Sequence, residues 1–299
     1  MTARAGRMIR WLAAVLAFGL SAPGALAGPQ VKTAPSIEAV DASRSGELVV
    51  HALAGLPAIL IFDFPSLAQQ GEMFNRVVAL AERGKAPRDR ILSADELAAL
   101  ISSLGKTPST FSMGNDFAVG ELARFFNLAR QGRMDLNGQE AALRDFLMEN
   151  GLASLKDDVL QAMEPERVVL SIPQAQPMGE RDGVPIGAAL RSTILRHEMG
   201  HGEYYANREY AEYCRRFWAD VMTEAERNAF IGFLGRKHYD GNNRELMINE
   251  AQAYLIHTPD PAAFNAGMVG LPPAAVQGLR DAFWAGRPPT TLSRSNLFH

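Results

Sequence analysis

The chain has 299 residues, 30 Lys plus Arg against 33 Asp plus Glu, and 47% hydrophobic residues. A formal charge of -3 gives no electrostatic reason to expect nucleic acid or an anionic membrane surface as a partner. Cys214 is the one cysteine, which excludes an intramolecular disulfide and leaves stability to packing, helped by any bound metal.

At the N-terminus Arg4, Arg7 and Arg10 precede the apolar run Trp11 to Leu20, and Ala25-Leu26-Ala27 supplies small residues ahead of Gly28. That is the pattern of a secretory signal peptide over residues 1–27, cleaved before Gly28. The apolar run is short for a membrane span, and no later stretch is long or apolar enough to be one. An exported protein is therefore expected, periplasmic or secreted, with no integral membrane segment after leader removal. Losing three arginines and no acids takes the charge to -6 on 272 residues, a length that can bury one sizeable core or two modest ones.

Residues 28 to 45 read as a polar lead-in, and Leu48-Val49-Val50 and Ala58 to Phe62 as strands. From Pro65 the pattern turns helical. Arg83, Lys85, Arg88 and Arg90, broken by Gly84, Pro87 and Asp89, read as a solvated loop. Ser93 with Glu96 forms a capping box, Asn115 or Asp116 offers an N-cap for a helix ending near Gln131, and Asn137 with Glu140 opens another helix. Arg167 to Ile172 is a β-branched run stopped by Pro173. It has two readings, a sheet edge on which an extended peptide could pair, or an internal strand of the core. Helices are expected over about 186 to 206, 207 to 220, 223 to 236 with Thr223 and Glu226 as a capping box, 242 to 256, and 272 to 285 behind Pro272-Pro273. The fold class expected is mainly α with a small β component (α+β). Its parts are a mainly helical N-terminal region, 28–165, of unassigned role, and a catalytic region, 166–299.

Chemistry concentrates at His197-Glu198-Met199-Gly200-His201, an HExxH element on the 186–206 helix. At about 100° per residue, side chains four apart fall about 40° apart on one face, one turn along, so both imidazoles can reach one metal ion. Glu198 sits beside that ion and not on it, placed to take a proton from a zinc-bound water. A catalytic zinc takes three protein ligands and keeps one position open, so a further ligand is needed. Glu250, within Asn249-Glu250-Ala251-Gln252-Ala253-Tyr254 on the 242–256 helix, is the choice. Glu203 is the lesser candidate, because two positions after His201 it points away from the metal face.

His197, Glu198, His201, Asn249 and Glu250 together resemble the gluzincin metallopeptidases, the thermolysin-like group whose HExxH is completed by a glutamate on a later helix. The resemblance covers about 166 to 257. It implies a zincin-like metal helix with a helical C-terminal lobe, one Zn2+ ion held by His197, His201 and Glu250, and Glu198 as the base. Tyr254 stands where the thermolysin pattern has an aspartate that orients a metal histidine, so that support must come from another group. The metzincin pattern fails, since Tyr204 and Asn207 occupy its glycine and histidine positions.

The oxyanion that develops at an attacked carbonyl needs a donor. Tyr204, Tyr205, His238, Tyr239, Tyr254 and His257 are candidates; Tyr254 and His257 lead because they lie one and two turns from Glu250. Cys214, with no catalytic partner in view, reads as a semi-buried thiol. The function expected is an exported zinc metallopeptidase acting on a peptide or protein substrate. The alternative is an envelope protein whose zinc site is a structural staple or binding module, and hydrolysis of a non-peptide amide would use the same residues.

Overall fold

The computed structural model describes residues 29, 31–176 and 184–290; the leader 1–27 and its cleavage point lie outside them. Five strands form one mixed sheet: β1 (Val31–Ala34), β2 (Val49–Leu53), β3 (Leu56–Phe64), β4 (Asn115–Ala118) and β7 (Val168–Pro173), in the order β1-β2-β3-β7-β4. β7 runs parallel to β3 and antiparallel to β4. β5 (Ala153–Lys156) and β6 (Val159–Ala162) make a separate hairpin, turned by Asp157 and Asp158, both at positive φ. The rest is mainly helical, so the α+β class holds.

The period of two along β3 sorts its side chains between two cores. Leu60, Phe62 and Phe64 point to one face, where Phe74 and Val78 of α2 (Leu67–Glu82), Phe125 of α4 (Val119–Gln131) and Phe146 of α5 (Gly138–Glu149) cover them. Ile59 and Ile61 point to the other face with Val168, Leu170 and Ile172 of β7, and meet Ile194, Leu195 and Met199 of α6 (Ala188–Ala206). Each such side chain, fully buried, contributes about 1.5–3 kcal/mol. The remaining helices are α1 (Ile37–Asp41), α3 (Ala94–Ser103), α7 (Arg208–Arg216), α8 (Glu224–Arg236), α9 (Arg244–His257), α10 (Ala266–Val269) and α11 (Pro273–Gly286). A third core of Tyr210, Phe217, Trp218, Phe230, Phe264 and Phe283 gathers the C-terminal helices around α9. The capping boxes at Ser93, Asn137 and Thr223 all form.

The same alternation puts Asp63 on the α6 face, where it anchors the helix that carries His197 and His201. Arg191 gives Nη1 and Nη2 to Asp63 at 2.6 and 3.0 Å, and its other hydrogen bonds go to the carbonyls of Val40, Asp41 and Pro173. Both side chains are fully buried. Such a pair fixes position more than it adds stability, but removing one partner strands the other charge and costs about 3–5 kcal/mol.

One expectation is corrected. Asn115 and Asp116 do not cap a helix: they lie in β4, and α4 starts after Ala118, whose backbone N–H is taken by Glu121. Of the two readings of the 167–172 strand the internal one holds, because β3 and β4 flank it on both sides; β4 is the edge on this side. The helix expected over 207 to 220 forms as α7 running directly into a π-helical segment, Phe217–Val221. The expected boundary at 165/166 falls between β6 and β7, and β7 shares its sheet with β3 and β4.

Candidate metal centre

α6 and α9 pack side by side, with the site between them. His197 and His201 sit one turn apart on α6, and Asn249 and Glu250 face them from α9. Hydrogen-bond bookkeeping fixes the state of both imidazoles. Thr258 gives its only hydrogen to the Ala253 carbonyl at 2.9 Å, so toward His197 Nδ1, 2.8 Å away, it can only accept. His197 therefore carries its ring proton on Nδ1. On the His201 side, Gln252 Nε2 donates to Gly200 O at 3.2 Å, while Tyr210 Oη donates to Gln252 Oε1 at 2.8 Å. The same Nε2 reaches Asn249 Oδ1 at 3.1 Å, which makes that atom an acceptor and leaves it to take the Nδ1 proton of His201 at 2.9 Å.

Both Nε2 atoms thus present lone pairs, and they face each other at 3.2 Å. Two lone pairs so placed repel unless a cation lies between them. The separation also suits two nitrogens on one tetrahedral zinc, roughly 3.3 Å apart for bonds of about 2.0–2.1 Å. Glu250 Oε2 lies 3.8 Å from His197 Nε2 and its Oε1 3.8 Å from His201 Nε2, completing a group whose ligand atoms all fall within 4.8 Å. Asp116, Glu198 and His201 form a second group of this kind, but it shares His201, whose Nδ1 proton already goes to Asn249. The donor set of the first group, two neutral imidazoles and a carboxylate, fits zinc.

Charge makes the same point. Burial pushes the Glu250 carboxyl up to about 8, against the pull of His201 and with Asp116 and Glu82 adding to the rise. Burial, reinforced by Asp116, Glu250 and Glu82, holds Glu198 well above the usual carboxylate range. Glu198 Oε2 and Glu250 Oε2 are both buried with no hydrogen-bond partner. A divalent cation would supply the positive charge that this group of carboxylates lacks. His197 is held neutral, by burial first and then by His201, His257 and Lys237.

Glu198 turns toward β4. At Gly114, just before that strand, a Cβ would fall on the Glu198 carboxylate, so only glycine leaves room for it there. A cleft of about 430 Å3 opens over His197 and Glu198, walled by Gly114, Tyr239 and Tyr254. His197 is 12% exposed toward it, whereas His201 is 2% exposed.

The other sequence candidates divide. The Tyr254 ring stacks obliquely on His197 with centroids 4.5 Å apart and lines the cleft, as do His238 and Tyr239. His257 is not brought to the cleft. It lies on the flank of α6 opposite Glu198, where a Cβ on Gly200 would meet its ring at 2.5 Å, and its Nε2 bonds Tyr210 Oη at 2.9 Å. The glycine that weakens the helix is there to admit that ring. Tyr204 donates to Glu245 and Tyr205 to Glu121; both line a separate cavity of about 620 Å3 together with Glu82 and Asp116. Glu203 accepts from Asn207 at 2.8 Å, away from the histidines. Cys214 is buried, and burial pushes its thiol far up.

Sequence reasoning missed Thr258, Gln252 and Asp116. Asn249 and Thr258 do for His201 and His197 what the thermolysin pattern assigns to an aspartate at the position of Tyr254. Asp116 steadies Asn249 from β4, accepting from its Nδ2 at 3.3 Å. Gln252 alone had a signal, its place one helical turn from Asn249.

Comparison of the chain with family models, with characterised proteins and with solved structures gives no match. The residues must speak for themselves.

Proposed function

We propose that this chain is an exported, zinc-dependent metallopeptidase of the gluzincin type. The observation that carries the reading is the convergence of two Nε2 lone pairs, each fixed by a hydrogen bond on the far side of its ring, with the buried Glu250 carboxylate. His197, His201 and Glu250 would hold the ion. Bound zinc supplies a Lewis acid that polarises a carbonyl and brings the pKa of a water near 7.

Glu198 accepts the proton of the attacking water and returns it to the leaving amine. Its wall against Gly114 limits where the carboxylate can swing. Tyr254, over His197, is the donor best placed to steady the developing oxyanion. β4 is a sheet edge beginning beside Glu198, so an extended peptide can add to it through backbone hydrogen bonds. The open cleft over His197 favours catalysis over a purely structural zinc, which would need a fourth protein ligand; among the described residues the group has three.

Glu198→Gln tests the proposal. The variant should bind zinc as the parent does and lose peptide hydrolysis by at least about a hundred-fold, since general-base catalysis alone contributes about 10²–10⁴. Parent-like cleavage by the variant contradicts the assignment.

A further inference from the structure

The chain is acidic overall, yet the cleft over the proposed zinc site is walled by bases. Arg83, Lys106, Arg236 and Lys237 line it, with His238 beside them, and Glu198 is the one acid among its lining residues. Two of the four are already committed. Arg83 donates to Glu82 and to the Phe111 carbonyl and lies between the rings of Phe111 and Tyr239, and Arg236 is exposed and gives Nη2 to the Met268 carbonyl.

Lys237 is different. Its half-buried ammonium lies 5.2 Å from the ring centroids of Phe233 and Tyr254, and among the described residues it makes no close ion pair, Glu250 acting on it only at longer range. Cation–π contacts hold its direction without neutralising it. One aromatic ring, Tyr254, separates it from His197. The loop that follows is pinned: Tyr239 bridges Arg83, the His238 carbonyl accepts from Gly84, and His238 itself sits at φ 72°. A non-glycine residue at such a φ is a strained conformation that the surrounding contacts must hold. Lys106, exposed on the same wall, adds a second cation with no ion pair among the described residues.

We infer that this cleft selects substrates carrying a carboxylate, received by the Lys237 ammonium with Lys106 as its electrostatic neighbour. The 4.5 and 5.2 Å ring contacts that link His197 to Lys237 bound the distance. That upper limit corresponds to at most about three residues of extended chain, at roughly 3.3–3.6 Å each. The carboxylate can belong to a free C-terminus or to an acidic side chain. This inference rests on the peptidase reading, and its test separates the two.

Three peptides of one neutral core sequence would be compared: an amidated one with an internal glutamate, an uncharged one with a free C-terminus, and an amidated one with no acid. The zinc-loaded parent should cleave one or both carboxylate peptides at least ten-fold better in kcat/KM than the uncharged amide; which of the two identifies the source. In Lys237→Met that ratio should collapse toward one, and Lys237→Arg should restore it. Equal cleavage of all three by the parent, or an unchanged ratio in Lys237→Met, overturns the inference and leaves the peptidase reading standing. If the parent cleaves none, fluorescence anisotropy with the labelled peptides decides. Binding of a carboxylate peptide that is lost in Lys237→Met supports the inference even as the peptidase reading fails, and no difference between the peptides overturns it.

Discussion

At the residue scale the centre depends on where two protons sit. Asn249 and Thr258 hold them on the Nδ1 atoms, and Asn249 is in turn held by Gln252 and Asp116. Asn249→Leu, close in volume but without an acceptor, should weaken zinc binding by about 10–100-fold, the usual effect of losing a group that orients a ligating histidine. Zinc titration against a competing chelator measures it; an unchanged affinity would mean His201 needs no such support. That His197, His201 and Glu250 come together was legible in the sequence, because HExxH is local and Glu250 lies on one later helix. Their supports were not. Thr258 reaches His197 only because α9 ends beside α6, and Asp116 reaches Asn249 only once β4 has joined the sheet.

At the element scale the α6–α9 contact sets the geometry, and Gly200 is where the His257 ring packs directly on the α6 backbone. Gly200→Ala would gain about 1 kcal/mol of helix propensity. It would also force the added methyl against the His257 ring, where its nearest atoms are 2.5, 2.8 and 3.1 Å away. Overpacking typically costs about 1–3 kcal/mol, so the clash should win. A lower urea midpoint is predicted, and a raised one would show that α9 can give way freely. The helices were largely legible, since capping boxes and apolar spacing are written along the chain. β4 was not, because Asn115 and Asp116 look like helix caps until their partners are known: Asn115 Nδ2 donates to Ser171 Oγ at 2.7 Å, and Asp116 accepts from Asn249. The β5–β6 hairpin was missed for a related reason, its Asp157-Asp158 turn lacking the Asn-Gly or Asp-Gly signal that marks most tight hairpins.

Across the whole molecule, acids gather behind the centre. Burial raises Glu82, despite Arg83, and raises Glu121, despite the Ala118 N–H, Tyr205 and Arg124. For an acid whose folded pKa lies above its unfolded value of about 4.5, the stability contribution is full below that value and is lost as pH rises through the folded pKa. Metal-free protein should therefore melt at a lower temperature at pH 8 than at pH 5, and saturating zinc should raise the melting temperature at pH 8 through preferential binding to the folded state. Circular dichroism melts at the two pH values check this; a metal-free protein more stable at pH 8 would contradict it. Among the described residues no helix is long and apolar enough to cross a membrane.

Zinc content per chain after dialysis against zinc-buffered solution, measured by mass spectrometry of the metal, tests the centre most directly. About one zinc is predicted in the parent and in Glu198→Gln, and less than about a tenth in His197→Ala, His201→Ala and Glu250→Ala, each of which removes a ligand. A parent without zinc, or a Glu250→Ala protein that keeps its full complement, would contradict the account.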